Sequence, residues 1–159
     1  IYINSRSDFM KEKIFHFFQI FSPLILGSLV GFVIKDFMDY SSLNQPPFAP
    51  PGIVFPIAWT VLYLLMGISY YFYRKTDKNS TLITLYYIQL FLNLTWTFIF
   101  FVFKMHFLAI VWILVIILLV FYLIKQFWNI KKESAYLLIP YLLWLLFAMY
   151  LTIGILLLN

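Results

Sequence analysis

The sequence contains no cysteine and little charge. Of its 159 residues, 6 are acidic and 11 are basic, so that 11% are charged, against about a quarter in an average soluble domain. The absence of cysteine excludes a disulfide framework, a thiolate metal site and a thiol nucleophile. The shortage of charge leaves too little polar surface to face water. It therefore excludes a disordered chain, a nucleic-acid-binding domain and an ordinary cytosolic enzyme.

Apolar residues, by contrast, make up 64% of the chain and lie in long charge-free runs. A membrane-spanning helix needs about 20 such residues, whereas a spanning strand needs about ten in alternation. Because the runs are continuously apolar, helices are favoured, since a helix satisfies its backbone hydrogen bonds within one segment. Five runs are predicted to span: residues 14–34, 53–73, 80–103, 105–125 and 135–157. The sequence thus predicts an all-α integral membrane protein, a bundle of five transmembrane helices.

One domain is expected, with residues 14–159 in the bundle, 36–52 in an outer loop and 1–13 as an N-terminal segment. Met10, followed by Lys11-Glu12-Lys13, is more typical of a natural start than Ile1. In this interpretation residues 1–9 are not native.

The basic residues lie mostly on one side of these spans. Nine lie on the side of the N-terminus: Arg6, Lys11, Lys13, Arg74, Lys75, Lys78, Lys125, Lys131 and Lys132. Only Lys35 and Lys104 lie on the other. Because loops rich in Lys and Arg stay in the cytoplasm, the N-terminus is predicted to be cytoplasmic and the C-terminus outside. No transit peptide is seen, which favours a bacterial plasma membrane.

Five of the 7 prolines lie within Pro46–Pro56. Proline fixes φ and removes a backbone donor, so this stretch predicts a stiff, extended loop that leads into the second span. Pro56 suits the first turn of that helix, where a missing N–H costs little. Two interpretations stay open, a simple linker or a shaped lid with Phe48 and Phe55 on its underside.

Aromatic, small and amide residues recur at helical spacing in three spans. Because residues three or four apart share a helix face, they form three groups: Trp59 with Tyr63; Gln89, Asn93 and Trp96; and Trp144, Ala148 and Leu151. Such faces serve either interhelical packing or the wall of a pocket for a flat apolar guest. Amides at membrane depth usually face the bundle interior, as an interhelical hydrogen bond or as a ligand contact.

The order of these motifs resembles the translocator protein family, also called the tryptophan-rich sensory protein or peripheral benzodiazepine receptor family. The loop and second span match its signature at Tyr40, Leu43, Pro46, Phe48, Pro50, Pro51, Phe55, Trp59, Thr60, Leu62, Tyr63, Met66 and Gly67. The third span adds Gln89, Asn93 and Trp96, and the fifth adds Pro140, Tyr141, Leu142, Trp144, Phe147, Ala148 and Leu151. Asp39, Gln45, Ile53 and Thr152 depart from the pattern.

The resemblance implies a membrane receptor or carrier in tetrapyrrole sensing or transport. Its ligands would be porphyrins (protoporphyrin IX or haem) and other planar apolar molecules such as sterols or benzodiazepine-type drugs, with no covalent cofactor. The implied ligand-binding residues are Tyr40, Phe48, Pro51, Phe55, Trp59, Gln89, Asn93, Trp96, Trp144, Ala148 and Leu151. The three tryptophans would stack on the guest, Phe48 and Phe55 would close over it, and Asn93 would orient a polar edge.

No catalytic residue and no metal site is expected, since His16 and His106 lie on opposite sides of the membrane and cannot share one iron. Two other functions stay open. One is light- and oxygen-dependent porphyrin degradation, which family resemblance suggests through Trp144, although Phe48 stands where many bacterial members carry Trp. The other is a partner protein without a ligand. Gly27-x-x-x-Gly31 permits close approach of another helix. It therefore supports the partner-protein function and also a homodimer. Membrane lipid is the remaining expected partner, and nucleic acid is not.

Overall fold

Five long helices make up the computed structural model, which describes the backbone of residues 2–159 and the side chains of residues 9–159. They are α1 (Tyr2–Ile34), α2 (Val54–Thr76), α3 (Ser80–Thr97), α4 (His106–Ile130) and α5 (Lys132–Leu158). A π-helical turn, Phe98–Val102, continues α3, and two short 3-10 turns, Lys35–Phe37 and Tyr40–Ser42, follow α1. All five helices are long and apolar enough to cross a membrane. The predicted all-α membrane bundle is confirmed.

The helix ends differ from the predicted span ends. α1 begins at Tyr2 rather than at residue 14, α4 continues to Ile130 rather than to residue 125, and α5 begins at Lys132. With 33 residues, α1 is about 50 Å long, well beyond a hydrocarbon core of about 30 Å. The prediction ended each span at a charge, but a charge marks the membrane boundary and a helix can continue into the headgroup region.

The helices form a closed ring of neighbours. Going round it, α1 packs on α2, α2 on α5, α5 on α4, α4 on α3, and α3 returns to α1 through the least extensive of these contacts. The buried core follows the inner faces of this ring. Because the α1–α3 side is the most loosely packed, it leaves space inside the ring near α1.

Polar side chains tie helices together through backbone carbonyls, both across the ring and between neighbours. The Tyr86 hydroxyl donates to the Met66 carbonyl at 3.1 Å, and the Ser69 hydroxyl donates to the Ser134 carbonyl at 2.7 Å. Such bonds are each worth about 0.6 kcal/mol or somewhat more in a membrane. They align α2 with α3 and with α5.

The loop between α1 and α2 is fastened to the end of α5. The Asn44 backbone N–H donates to Asn159 Oδ1 at 3.0 Å, and Asn159 Nδ2 donates back to the Asn44 carbonyl at 3.0 Å. Nearby, the Tyr150 hydroxyl donates to the Pro47 carbonyl at 2.7 Å, and Pro46 packs against Gly154. The loop is therefore a fixed cover over one end of the bundle and not a loose linker.

Replacing Asn159 with alanine should loosen this cover without unfolding the bundle. The substitution removes both bonds to Asn44, and an exposed hydrogen bond contributes about 1 kcal/mol. We expect the amide of Asn44 to exchange with solvent roughly tenfold faster, measured by hydrogen–deuterium exchange. Asn129→Ala, at an exposed position of α4, is the control. Equal exchange in the two variants would contradict the role given to Asn159.

Candidate functional site

A cavity of about 310 Å³ lies inside the ring, bounded by α1, α2, α3, α5 and the loop. Its wall is mostly apolar. Seven of the residues that the sequence nominates for binding line it: Tyr40, Phe55, Trp59, Trp96, Trp144, Ala148 and Leu151. The helical faces proposed on α2, α3 and α5 therefore meet around one space, and the loop contributes its end wall.

Aromatic rings form a box around this space. The Trp59 ring stacks on Tyr63 at 5.3 Å between centroids and meets Trp144 edge-on at 6.4 Å. Phe55 bridges from Trp144, at 6.0 Å, to Tyr40, at 4.8 Å. Edge-to-face pairs at these distances hold each other in place. The rings of the box are therefore held in fixed orientations around the cavity.

Phe48 lies outside the cavity, which corrects the expectation that it closes over a ligand. Its side chain is 91% exposed and its backbone has φ 62°. The Ala49 N–H donates to the Pro46 carbonyl at 3.2 Å. This bond closes a four-residue turn in which Pro47 is the second residue and Phe48 the third. A type II turn requires positive φ at its third residue. The turn aims the ring away from the bundle. Pro51 is also exposed and does not line the cavity.

Asn93 and Gln89 lie behind the wall, each only 1% exposed. Asn93 Oδ1 accepts a hydrogen bond from the Tyr63 hydroxyl at 2.8 Å, and it is Tyr63 that lines the cavity. Of the two interpretations of Asn93, the structure shows the interhelical bond. The amide atoms of Gln89 are buried, and among the described residues they have no hydrogen-bond partner.

The sequence interpretation missed the contribution of α1. Leu24, Gly27, Ser28, Gly31 and Ile34 all line the cavity, and their spacing of three or four residues is the signal that could have revealed this face. Gly27 lies against the Tyr63 ring of the same chain, and a Cβ at Gly27 would come within 2.6 Å of Tyr63 Cδ2. The small residues assigned to a dimer seam thus face the interior of their own bundle.

No metal centre accompanies the cavity in the part of the chain whose side chains are described, where no three His, Asp or Glu side chains lie together. His16 sits on α1, 3.0 Å from Gln19 Oε1, and His106 opens α4. The chemistry offered by the site is therefore ring stacking, apolar burial and a few hydrogen-bond donors.

A ring of five helices, each long and apolar enough to cross a membrane, around an aromatic-lined cavity defines a polytopic α-helical membrane protein. The chain belongs to the TspO/MBR family, whose family model it matches over residues 19–158. It is 35% identical to the translocator protein homolog of Schizosaccharomyces pombe over 145 residues, 86% of this chain and 87% of that one. It is 34% identical to the tryptophan-rich protein TspO of Chlorobaculum tepidum over 125 residues, 76% of this chain and 78% of the relative.

A third relative is the tryptophan-rich sensory protein of Cereibacter sphaeroides, 32% identical over 114 residues, or 72% of each chain. These matches confirm the family resemblance drawn from the loop and span motifs. They make the chain an integral membrane protein of the sensory and translocator type.

Proposed function

We propose that the protein is a membrane receptor or carrier that binds a porphyrin, protoporphyrin IX or haem, in the cavity between α1, α2, α3 and α5. The observation that carries the proposal is that Trp59, Trp96 and Trp144, from three different helices, all line one mostly apolar space. Small-molecule sites have volumes of about 300–1000 Å³ and bind mainly through apolar and aromatic walls. The cavity, at about 310 Å³, meets this description. A flat, largely apolar macrocycle is the guest that three tryptophan rings suit best.

Affinity in this proposal comes from burial of apolar area and from stacking. Each aromatic pair contributes about 0.5–1.5 kcal/mol beyond burial of area, and burial itself about 25 cal/mol per Å². Trp144 would contribute to both because its ring lines the cavity, and its contacts with Phe55, Trp59 and Phe147 hold the ring in position. We also propose a bacterial plasma membrane as the location and a cytoplasmic N-terminus. The basic residues near the N-terminus and in the α2–α3 and α4–α5 connections support this orientation.

Trp144→Ala is expected to weaken protoporphyrin IX binding roughly 30- to 150-fold, since about 2–3 kcal/mol of stacking and burial is lost. The measurement is a dark titration of the detergent-solubilised protein, followed by porphyrin absorbance. Trp128→Ala is the matched control, because Trp128 is on the outer part of α4, packs on Tyr136 and does not line the cavity. Unsaturable binding by the wild type, or equal affinity in both variants, would reject the proposal.

A further inference from the structure

The bundle carries its net charge at one end. The end that holds the N-terminus has nine of the 11 basic residues and four of the 6 acidic ones, whereas the opposite end has two of each. The net charge of +5 therefore belongs to the first end alone. In a membrane this end lies among lipid headgroups, where the phosphates of anionic lipids attract lysine and arginine.

Two lysines at this end flank a pair of aromatic rings on the outer surface of α4 and α5. Trp128 and Tyr136 contact each other, with ring centroids 4.8 Å apart. Lys125 lies three residues before Trp128, and Lys132 lies four residues before Tyr136, so each lysine shares a helix face with one of the rings. All four side chains are exposed. We call these four residues the α4–α5 patch. Its rings are of the two types that prefer the headgroup level of a membrane.

The two lysines of the patch have no acidic partner. Among residues 9–159, whose side chains are described, neither Lys125 nor Lys132 forms an ion pair. Glu133, the acidic residue in the first turn of α5, is bonded to Lys131 at 3.1 Å, so these two charges offset each other. A zwitterionic headgroup would bring its own cation to the lysines, whereas an anionic headgroup brings only the opposite charge. Charge complementarity therefore favours an anionic headgroup at the patch.

An apolar groove lies between α2 and α5, deeper in the membrane than the patch. Its walls include Val61 and Leu65 of α2 and Pro140, Leu143 and Phe147 of α5. Pro140 comes four residues after Tyr136, so the groove begins about one helical turn from the patch. At about 1.5 Å per residue, Pro140 and Phe147 lie about 12 and 22 Å along α5 from Lys132. One leaflet contributes about half of a hydrocarbon core of roughly 30 Å. The groove therefore covers the depth of an acyl chain whose headgroup lies at the patch.

We propose that the α4–α5 patch and the α2–α5 groove together bind one anionic phospholipid, such as phosphatidylglycerol. The ammonium groups of Lys125 and Lys132 hold its phosphate, the rings of Trp128 and Tyr136 pack beside its glycerol, and one acyl chain lies along the groove. The lipid site is separate from the porphyrin proposal, because none of the four patch residues lines the inner cavity.

A second copy of the chain is a poorer occupant of this surface. A two-fold dimer places the same patch of both subunits at the interface. Lys125 and Lys132 would then face the same lysines of the second copy, and like charges at an interface are unfavourable. A lipid phosphate neutralises these lysines, and its hydrocarbon chain covers Val61 and Leu143, which are 51% and 60% exposed.

The experiment is native mass spectrometry of the full chain, released from detergent and titrated with dioleoyl phosphatidylglycerol or dioleoyl phosphatidylcholine. The two lipids have identical chains, so their affinities compare headgroups alone. We expect the wild type to bind phosphatidylglycerol at least tenfold more tightly. The double variant Lys125→Gln/Lys132→Gln should lose this preference, because each lysine near an anionic headgroup contributes to the attraction. Glycerol 3-phosphate, which has the phosphate but no chain, should bind far more weakly than the lipid.

Matched variants control for net charge and for added bulk. Lys35→Gln/Lys104→Gln removes two positive charges at the opposite end and should keep the preference for phosphatidylglycerol. Leu143→Trp partly fills the groove and should weaken both dioleoyl lipids at least threefold. Leu146→Trp adds the same ring at an exposed position of α5 outside the groove and should leave both affinities unchanged.

Each part of the proposal has its own contrary result. Equal affinity of the wild type for the two lipids, or an equal loss in the two lysine variants, would refute the headgroup site. Equal affinities in Leu143→Trp and Leu146→Trp would refute the chain site. Glycerol 3-phosphate binding as tightly as the lipid would replace a lipid site with an anion site. A dimer without bound lipid that Leu143→Trp alone dissociates would assign the groove to a second copy.

Discussion

Gly67→Ala should destabilise the bundle by about 1–2 kcal/mol net, even though alanine is the better helix former. Gly67 of α2 lies directly against the backbone of α1. An added Cβ would overlap the Ile20 carbonyl oxygen and come within 2.6 Å of the carbonyl carbon. Because the obstacle is backbone, no side-chain rotamer relieves it, and α1 must move away from α2. Overpacking costs about 1–3 kcal/mol and sometimes more, against a gain in helix propensity of about 1 kcal/mol.

The measurement is thermal unfolding in detergent, where a drop of several degrees is expected. Gly31→Ala is the matched control, a glycine of α1 at which an added Cβ meets nothing within 4 Å. It should melt with the wild type or slightly above it. If Gly67→Ala melted like Gly31→Ala, α1 and α2 would have to lie farther apart than the structure places them.

The bundle was predictable because a bilayer imposes few solutions. Five continuously apolar runs of sufficient length were bound to form five helices. In hydrocarbon only a helix or a closed β-barrel pairs all of its backbone N–H and C=O groups. The helix ends were less predictable. The fourth span was predicted to end at Lys125, yet α4 continues to Ile130. A single charged residue marks where the chain leaves the hydrocarbon but does not stop the helix. Pro56 lies in the first turn of α2 as predicted, because there the missing N–H has no intrahelical partner to lose.

The aromatic wall was predictable for a different reason. Trp59, Trp96 and Trp144 stand in motifs whose order matches the family, so the resemblance brought three separate spans to one site. Gly27 and Gly31 show where this reasoning stops. Their spacing indicates a small face on α1, but it does not say which helix covers that face. Only the packed bundle shows that Gly27 receives the Tyr63 ring of its own chain.

The proline-rich segment that ends in the first turn of α2 shows a second limit. Phe48 and Phe55 are alike in sequence, since both are aromatic and both lie among prolines. Only Phe55 lines the cavity. Phe48 sits at the third position of its turn, where φ is positive, and the pattern of prolines did not distinguish this position from its neighbours. Asn93 is a third case. Its side chain pairs with another helix because the Tyr63 hydroxyl of α2 lies within hydrogen-bond distance of it.

Gly31→Phe is expected to abolish porphyrin binding, with a loss of affinity of at least 100-fold, while the bundle stays folded. Gly31 lines the cavity, and a Cβ there points into open space. Folding therefore tolerates a larger side chain at this position. A phenyl ring would take up a large share of a space of about 310 Å³ and would compete directly with any planar guest. The readout is the dark protoporphyrin IX titration, paired with thermal unfolding of the same sample.

Gly52→Phe completes the comparison. Gly52 also has nothing within 4 Å of an added Cβ, but it does not line the cavity, so the same phenyl group there should leave affinity and melting temperature unchanged. The pair separates occupation of the cavity from the general effect of adding an aromatic ring to a glycine. If Gly31→Phe stayed folded and bound protoporphyrin IX as tightly as Gly52→Phe, the porphyrin would have to bind elsewhere on the protein. The aromatic box between α1, α2, α3 and α5 would then serve packing alone.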